Sequence, residues 1–206
     1  MASNQPSASS STPTLSECTG EVRPVFFDGG KVFLIDQKVL PVTFTTVCAS
    51  TVKEVFGYIR DMTVRGAPAI GAAGAFGLAL CAHASSATTP ADLLAELREA
   101  KTYLDSSRPT AVNLEWATGR LIDISAAYAS RVGMTVGRLA EAVEAEARAL
   151  AEEDVAVNRA LAKHGATLVR QGANILHHCE SSPFPPQLQY CPFRIYIMVF
   201  IDCALF

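Results

Sequence analysis

The apolar positions change their period along the chain, and the changes mark the elements. Val25-Phe26-Phe27 and Lys31 to Ile35 are short β-type runs on either side of Asp28-Gly29-Gly30. The two glycines supply the positive φ angles of a tight hairpin. Val39-Leu40, after a turn at Asp36-Gln37, offers a third strand. From Ser50 the period becomes helical: Val52, Val55, Phe56 and Ile59 follow Thr51 and Glu54, which match a capping box. Pro68 to Ala82 carries no charge and is rich in Gly and Ala; it is shorter than the roughly 20 strongly apolar residues a bilayer span needs, and reads as a buried helix.

Thr89-Pro90 then caps a helix whose inner face is Leu93, Leu94, Leu97, Ala100 and Leu104, ending near Ser106-Ser107. Leu114, Ala117, Leu121, Ile124 and Tyr128 make a further helical stripe, and Leu139, Val143, Ala147 and Leu150 make another that runs on toward Leu161. The period shortens again at Ala173-Asn174-Ile175-Leu176, a buried-strand pattern after Gly172. Phe193, Ile195, Ile197, Val199 and Ile201 alternate as an edge strand would, which invites self-association.

These patterns predict an α+β chain: a small antiparallel sheet with a helical bundle over 23–170, preceded by a disordered leader over 1–22. Residues 171–180 would open a second, α/β domain of which only the first strand is present, and 181–206 would form a tail of different composition. Too little follows Cys179 to complete a βαβ unit of about 30 residues.

Half of the 206 residues are hydrophobic, enough for a sizeable core. Net charge is -3 with no block of like charges, so neither nucleic acid nor a membrane surface is an expected partner, while a small anion remains compatible. The six cysteines show neither zinc-like spacing nor paired C-x-x-C motifs and read as reduced intracellular thiols. The Ser/Thr/Pro-rich start holds no basic residue before Arg23, unlike an Arg-rich transit peptide.

Three segments can carry chemistry. In Val64-Arg65-Gly66-Ala67-Pro68-Ala69-Ile70-Gly71, Pro68 sits in a first helical turn, and Gly66 and Ala67 can aim backbone N–H groups at an anion beside the Arg65 guanidinium. The alternative is a helix whose Gly71, Gly74 and Gly77 only allow close packing, with Arg65 solvated. Ser107-Arg108-Pro109-Thr110-Ala111-Val112-Asn113-Leu114 repeats the logic, an arginine before a proline at a helix start. Its alternative is an ordinary helix with a surface arginine. His177-His178-Cys179 ends the strand pattern, where α/β folds expose functional groups. Cys179 is then either a reactive thiol or an inert one, and the two histidines alone make a poor metal site. Glu152-Glu153-Asp154 reads as a solvated helix face.

Taken in order, Asp61 to Gly71, Ser107 to Leu114, and Glu153 to Ala160 with Lys163-His164-Gly165-Ala166 resemble the three signatures of the S-methyl-5-thioribose-1-phosphate isomerases. The resemblance runs from about Pro24 to Cys179. It then stops: the chain reads Glu180-Ser181-Ser182 where the family has an Asn-Thr-Gly-like stretch, and His177 replaces the family's usual threonine.

The resemblance implies an N-terminal sheet-plus-helix domain, a Rossmann-like second domain, and an active site between them. It implies an isomerase of methionine salvage that interconverts 5-methylthioribose 1-phosphate and 5-methylthioribulose 1-phosphate, with no metal and no nicotinamide cofactor. By motif match Arg65, Gly66, Ala67 and Arg108 would bind the phosphorylated sugar, and Cys179 would align with the cysteine that stabilises the transition state. The family's proton-donating aspartate would lie beyond the matched region, so the chain reads as truncated after the N-terminal domain, with activity lost or severely impaired. A homodimer is expected of the full-length family, in the cytoplasm and also the nucleus. Two alternatives share the fold: a regulatory subunit of the translation-initiation exchange factor, and a ribose-bisphosphate isomerase relative. The forms of the Arg65 and Arg108 segments favour the methylthioribose enzyme.

Overall fold

The computed structural model describes residues 23–168 together with the backbone of two short strands, 174–177 and 194–197. Three strands, β1 (Val25–Asp28), β2 (Lys31–Ile35) and β3 (Thr46–Ala49), form an antiparallel sheet in the order β1-β2-β3. Gly29 and Gly30 take φ of 53° and 74° in the β1–β2 turn, so that Asp28 pairs with Lys31 and every side chain of the hairpin keeps its face. Val25, Phe27, Val32 and Leu34 go inward.

The third strand is not at Val39-Leu40. Asp36 accepts a hydrogen bond from the Lys38 amide, the Thr43 amide reaches back to the Val39 carbonyl, and Pro41 has no N–H to give to a ladder. The chain therefore loops, leaves Val39 and Leu40 exposed, and pairs with β2 only from Thr46.

Five helices follow: α1 (Val52–Arg60), α2 (Ala67–Ala84), α3 (Pro90–Asp105), α4 (Val112–Ala129) and α5 (Val136–Ala166). α1 opens with the expected capping box, the Thr51 hydroxyl receiving the Glu54 amide while Glu54 receives the Thr51 amide. α2 is the central post. From Ile70 to Leu80 every residue is buried, with α1, α3, α4, α5 and the sheet packed around it. It is long and apolar enough to span a bilayer, but 67% of it is covered by the rest of the protein. Its glycines let the neighbours approach: a Cβ on Gly74 would meet the Leu114 and Thr118 side chains, and one on Gly77 those of Leu104 and Val55.

The stripe expected on α4 turns slightly, burying Thr118 and Ser125 in place of Ile124 and Tyr128. Both hydroxyls donate to carbonyls one turn back, Thr118 to Leu114 and Ser125 to Leu121, so neither is left unpaired. α5 buries only its first half, Leu139 to Leu150; beyond that, Val157 and Leu161 are largely exposed. β4 (Asn174–His177) and β5 (Arg194–Ile197) pair in parallel with Asn174 opposite Arg194. The strand pattern over 173–176 thus falls on β4 from Asn174, and Ile195 and Ile197 of the alternating run fall on β5, the rest of that run lying outside the described residues.

Candidate active site

Three of the five helices begin with a threonine whose side chain caps them: Thr51 on α1, Thr89 on α3 and Thr135 on α5. α2 and α4 do not. Gly66 precedes α2 and Ala111 precedes α4, and neither provides a side-chain acceptor for the first amides. These are the two helices that carry the arginine-proline segments, so their N-terminal dipoles stay available to an external anion.

The two ends also meet. A Cβ on Gly71 would lie 3.0 Å from the Asn113 carbonyl oxygen and 3.3 Å from Ala117 Cβ, so the first turns of α2 and α4 are in direct contact. Between them and the middle of α5 lies a cleft of about 180 Å³ lined by Pro68, Gly71, Asn113, Trp116, Asp154 and Val157, among others. Residues from all three signature segments therefore share one wall.

Each arginine-bearing loop is tied down. Asp61 ends α1 and accepts from the Thr63 amide (3.0 Å), the Thr63 hydroxyl (2.7 Å) and Lys38 Nζ (2.8 Å). Burial works against ionisation of Asp61, but the hydrogen bonds from Lys38 and Thr63 outweigh it and hold the carboxyl below its ordinary value. Met62 takes φ 61° to make the turn, Val64 is buried, and the Arg65 carbonyl accepts from Gln37 Nε2 at 3.1 Å. Gly66, with φ 89° and ψ 126°, adopts a conformation that excludes a Cβ-bearing residue at little cost. It starts α2 with bare amides.

The Arg108 loop is fixed at its base. The buried Ser107 hydroxyl donates to the Leu104 carbonyl at 2.6 Å, and the Thr118 hydroxyl of α4 shares its one proton between the Leu114 carbonyl and Asp105 at the end of α3, 2.8 Å away. The Arg108 carbonyl accepts the Ala111 amide, closing the turn into α4. Arg65 and Arg108 are both half-buried, at the roots of the two uncapped helices. Gly66 and Ala67 form the start of α2 as the sequence indicates. Cys179, and His178 beside it, lie outside the described residues.

On α5, Glu153 is exposed and paired with Arg120 at 2.6 Å, while Arg120 also binds Glu146 and lies over the Trp116 ring. Asp154 departs from the expected solvated face. It is half-buried against the cleft, and burial pushes its carboxyl above the ordinary range, partly offset by the Asn158 amide at 3.2 Å. Asn113 and Trp116 were not given a role by sequence reasoning, and Asp154 was read as part of a solvated face; Asn113 and Asp154 lie in signature segments and Trp116 two residues beyond one. What was lacking was the helical facing: positions 150, 153, 154 and 157 present one stripe to the cleft. Among the described residues no three His, Cys, Asp or Glu side chains gather as metal ligands would.

The chain is similar to known proteins. The model of the initiation factor 2 subunit family matches residues 63–191. The methylthioribose-1-phosphate isomerase of Chloroflexus aurantiacus is 45% identical over 161 residues, 78% of this chain and 46% of that protein. The 5-deoxyribose 1-phosphate isomerase of Moorella thermoacetica is 42% identical over 78% of this chain and 45% of its own. Two solved structures superpose closely: 5-methylthioribose 1-phosphate isomerase from Pyrococcus horikoshii (TM-score 0.73, 39% identity, 82% of this chain and 46% of that one) and the delta subunit of translation initiation factor eIF-2B from A. fulgidus (TM-score 0.74, 33% identity, 84% and 53%). The chain spans about half the length of the curated relatives it matches. The resemblance to methylthioribose-1-phosphate isomerases drawn from the signatures is borne out, as is the sheet-plus-helix fold, and the chain belongs to the initiation factor 2 subunit family.

Proposed function

We propose that the chain is the phosphate-gripping part of an aldose–ketose isomerase that converts 5-methylthioribose 1-phosphate to 5-methylthioribulose 1-phosphate. The observation that carries this reading is the pair of uncapped helix N-termini, α2 and α4, meeting at one cleft; Arg65 and Arg108 precede these helices in the chain without being among the residues that line it. A 1-phosphorylated sugar cannot open to a free aldehyde. Hydrogen must therefore move between C1 and C2 while the phosphate is held, and two dipoles with two guanidinium groups suit a dianion. Gly66 and Ala67 would contribute backbone amides, and Cys179 would stabilise charge at the reacting carbons.

The relatives' names support a substrate class of pentose 1-phosphates altered at C5. We place the protein in the cytoplasm, with entry to the nucleus, and read the whole assembly as a homodimer. The test is to assay the purified chain with 5-methylthioribose 1-phosphate and 5-deoxyribose 1-phosphate. A family aspartate outside the matched region would donate the proton. Turnover far below the usual roughly 1–10³ s⁻¹, with saturable binding retained, is expected.

A second reading, a non-catalytic subunit of a translation-initiation exchange factor, is favoured by the likeness to the A. fulgidus delta subunit. It requires no sugar-phosphate affinity, so absence of binding to either sugar phosphate would favour it.

A further inference from the structure

We infer that Asp154 is a specificity-determining residue of this cleft, one that accepts a hydrogen bond from a secondary hydroxyl of the furanose ring while the phosphate sits at the α2 and α4 termini. The inference rests on the phosphate reading above and extends it to the sugar. Asp154 lines the cleft opposite Pro68, Gly71 and Asn113, the residues at those two termini. Its own helix holds it in place: Asn158, one turn on, donates to both the Asp154 backbone carbonyl (2.9 Å) and Oδ1 (3.2 Å). A carboxylate with one oxygen engaged by a neutral amide keeps lone pairs for a ligand, and a carboxylate is the group that commonly reads ribose hydroxyls.

The adjacent acid does not compete for this role. Glu153 is paired with Arg120, which Glu146 also grips, so it is engaged in an ion-pair network. Among the described residues Asp154 has no cationic partner of that kind, and it is partly withdrawn from water. Surroundings that disfavour the bare anion make a hydroxyl donor welcome, because the ligand supplies the hydrogen bond that burial removed. The apolar side chains of Trp116, Leu150 and Val157 complete the wall.

The full chain can be titrated with methyl phosphate, which carries no hydroxyl, and with ribose 1-phosphate, reading the fluorescence of Trp116, the single tryptophan of the sequence and a residue of the cleft. Wild type should prefer ribose 1-phosphate by roughly tenfold or more. In Asp154→Ala that preference should fall to within about twofold of unity, with methyl phosphate affinity undiminished. Asp154→Asn, which keeps the shape, should fall between the two. A merely structural role would weaken both ligands alike and leave the ratio intact. An unchanged ratio in both variants overturns the role of Asp154 while leaving the phosphate site standing. Failure of wild type to bind either ligand overturns the phosphate reading, and this inference with it.

Discussion

Gly71 of α2 lies against the Asn113 carbonyl oxygen of α4, the two helices without a side-chain cap: a Cβ built on Gly71 would stand 3.0 Å from that oxygen. The obstacle is backbone, which cannot rotate away as a side chain can. Gly71→Ala should therefore separate the first turns of α2 and α4, costing about 1–3 kcal/mol by overpacking. It should also weaken phosphate binding. Gly137→Ala on α5, where a Cβ meets nothing, is the control and should be neutral or mildly stabilising in thermal unfolding.

The Gln37 side chain reaches from the β2–β3 loop to the Arg65 carbonyl, 28 residues away, and its backbone N–H donates to the Thr63 carbonyl. Gln37→Leu would strip the carbonyl of this donor and should cost about 0.5–1.5 kcal/mol. Because the tether acts on the Arg65 loop, affinity for phosphate should fall as well. A stability loss with unchanged affinity would show that the loop holds its shape without the sheet.

The sheet-plus-bundle plan was legible because period, capping and turn chemistry agreed at Asp28-Gly29-Gly30, at Thr51 with Glu54, and at Thr89-Pro90. The third strand was not. Val39 and Leu40 look like strand residues, but the Asp36 turn and Pro41 spend them in a loop, and the true strand, Thr46–Ala49, is too short to show alternation. Of the site, the two arginine loops were readable from Gly66, Pro68 and Pro109. The α5 wall was not, because Glu152-Glu153-Asp154 are consecutive, and only the helix geometry turns Glu152 to solvent and Asp154 to the cleft.

Two carboxylates should give opposite pH signatures. The Asp61 carboxyl, held below its ordinary value in the fold, contributes stability above its unfolded pKa that is lost as pH falls through the folded value. Asp61→Asn should thus destabilise at neutral pH and matter little at strongly acid pH. Asp154, raised in the fold, favours the native state below its unfolded pKa, and that contribution is lost as pH rises through the folded value. Asp154→Asn should therefore raise the melting temperature at neutral pH, with the gain vanishing on acidification. Melting curves of the two variants between acid and neutral pH check both signs.

Cys81 sits on α2 against the Glu96 carbonyl, and burial, helped by Glu96 and Glu99, pushes its thiol up to about 11. Its thiolate fraction at neutral pH is about a hundredfold below that of an ordinary cysteine. In native alkylation mapped by peptide mass, Cys81 should stay unmodified while the exposed Cys48 reacts. Equal labelling would mean that α2 opens readily.

The most direct test of the account is equilibrium titration of the chain with 5-methylthioribose 1-phosphate, beside Arg65→Ala and Arg108→Ala. Saturable binding is expected, displaced by inorganic phosphate and weakened roughly tenfold or more by either substitution, as befits charge-assisted bonds to one phosphate. Binding indifferent to both arginines, or no saturable binding at all, would contradict it.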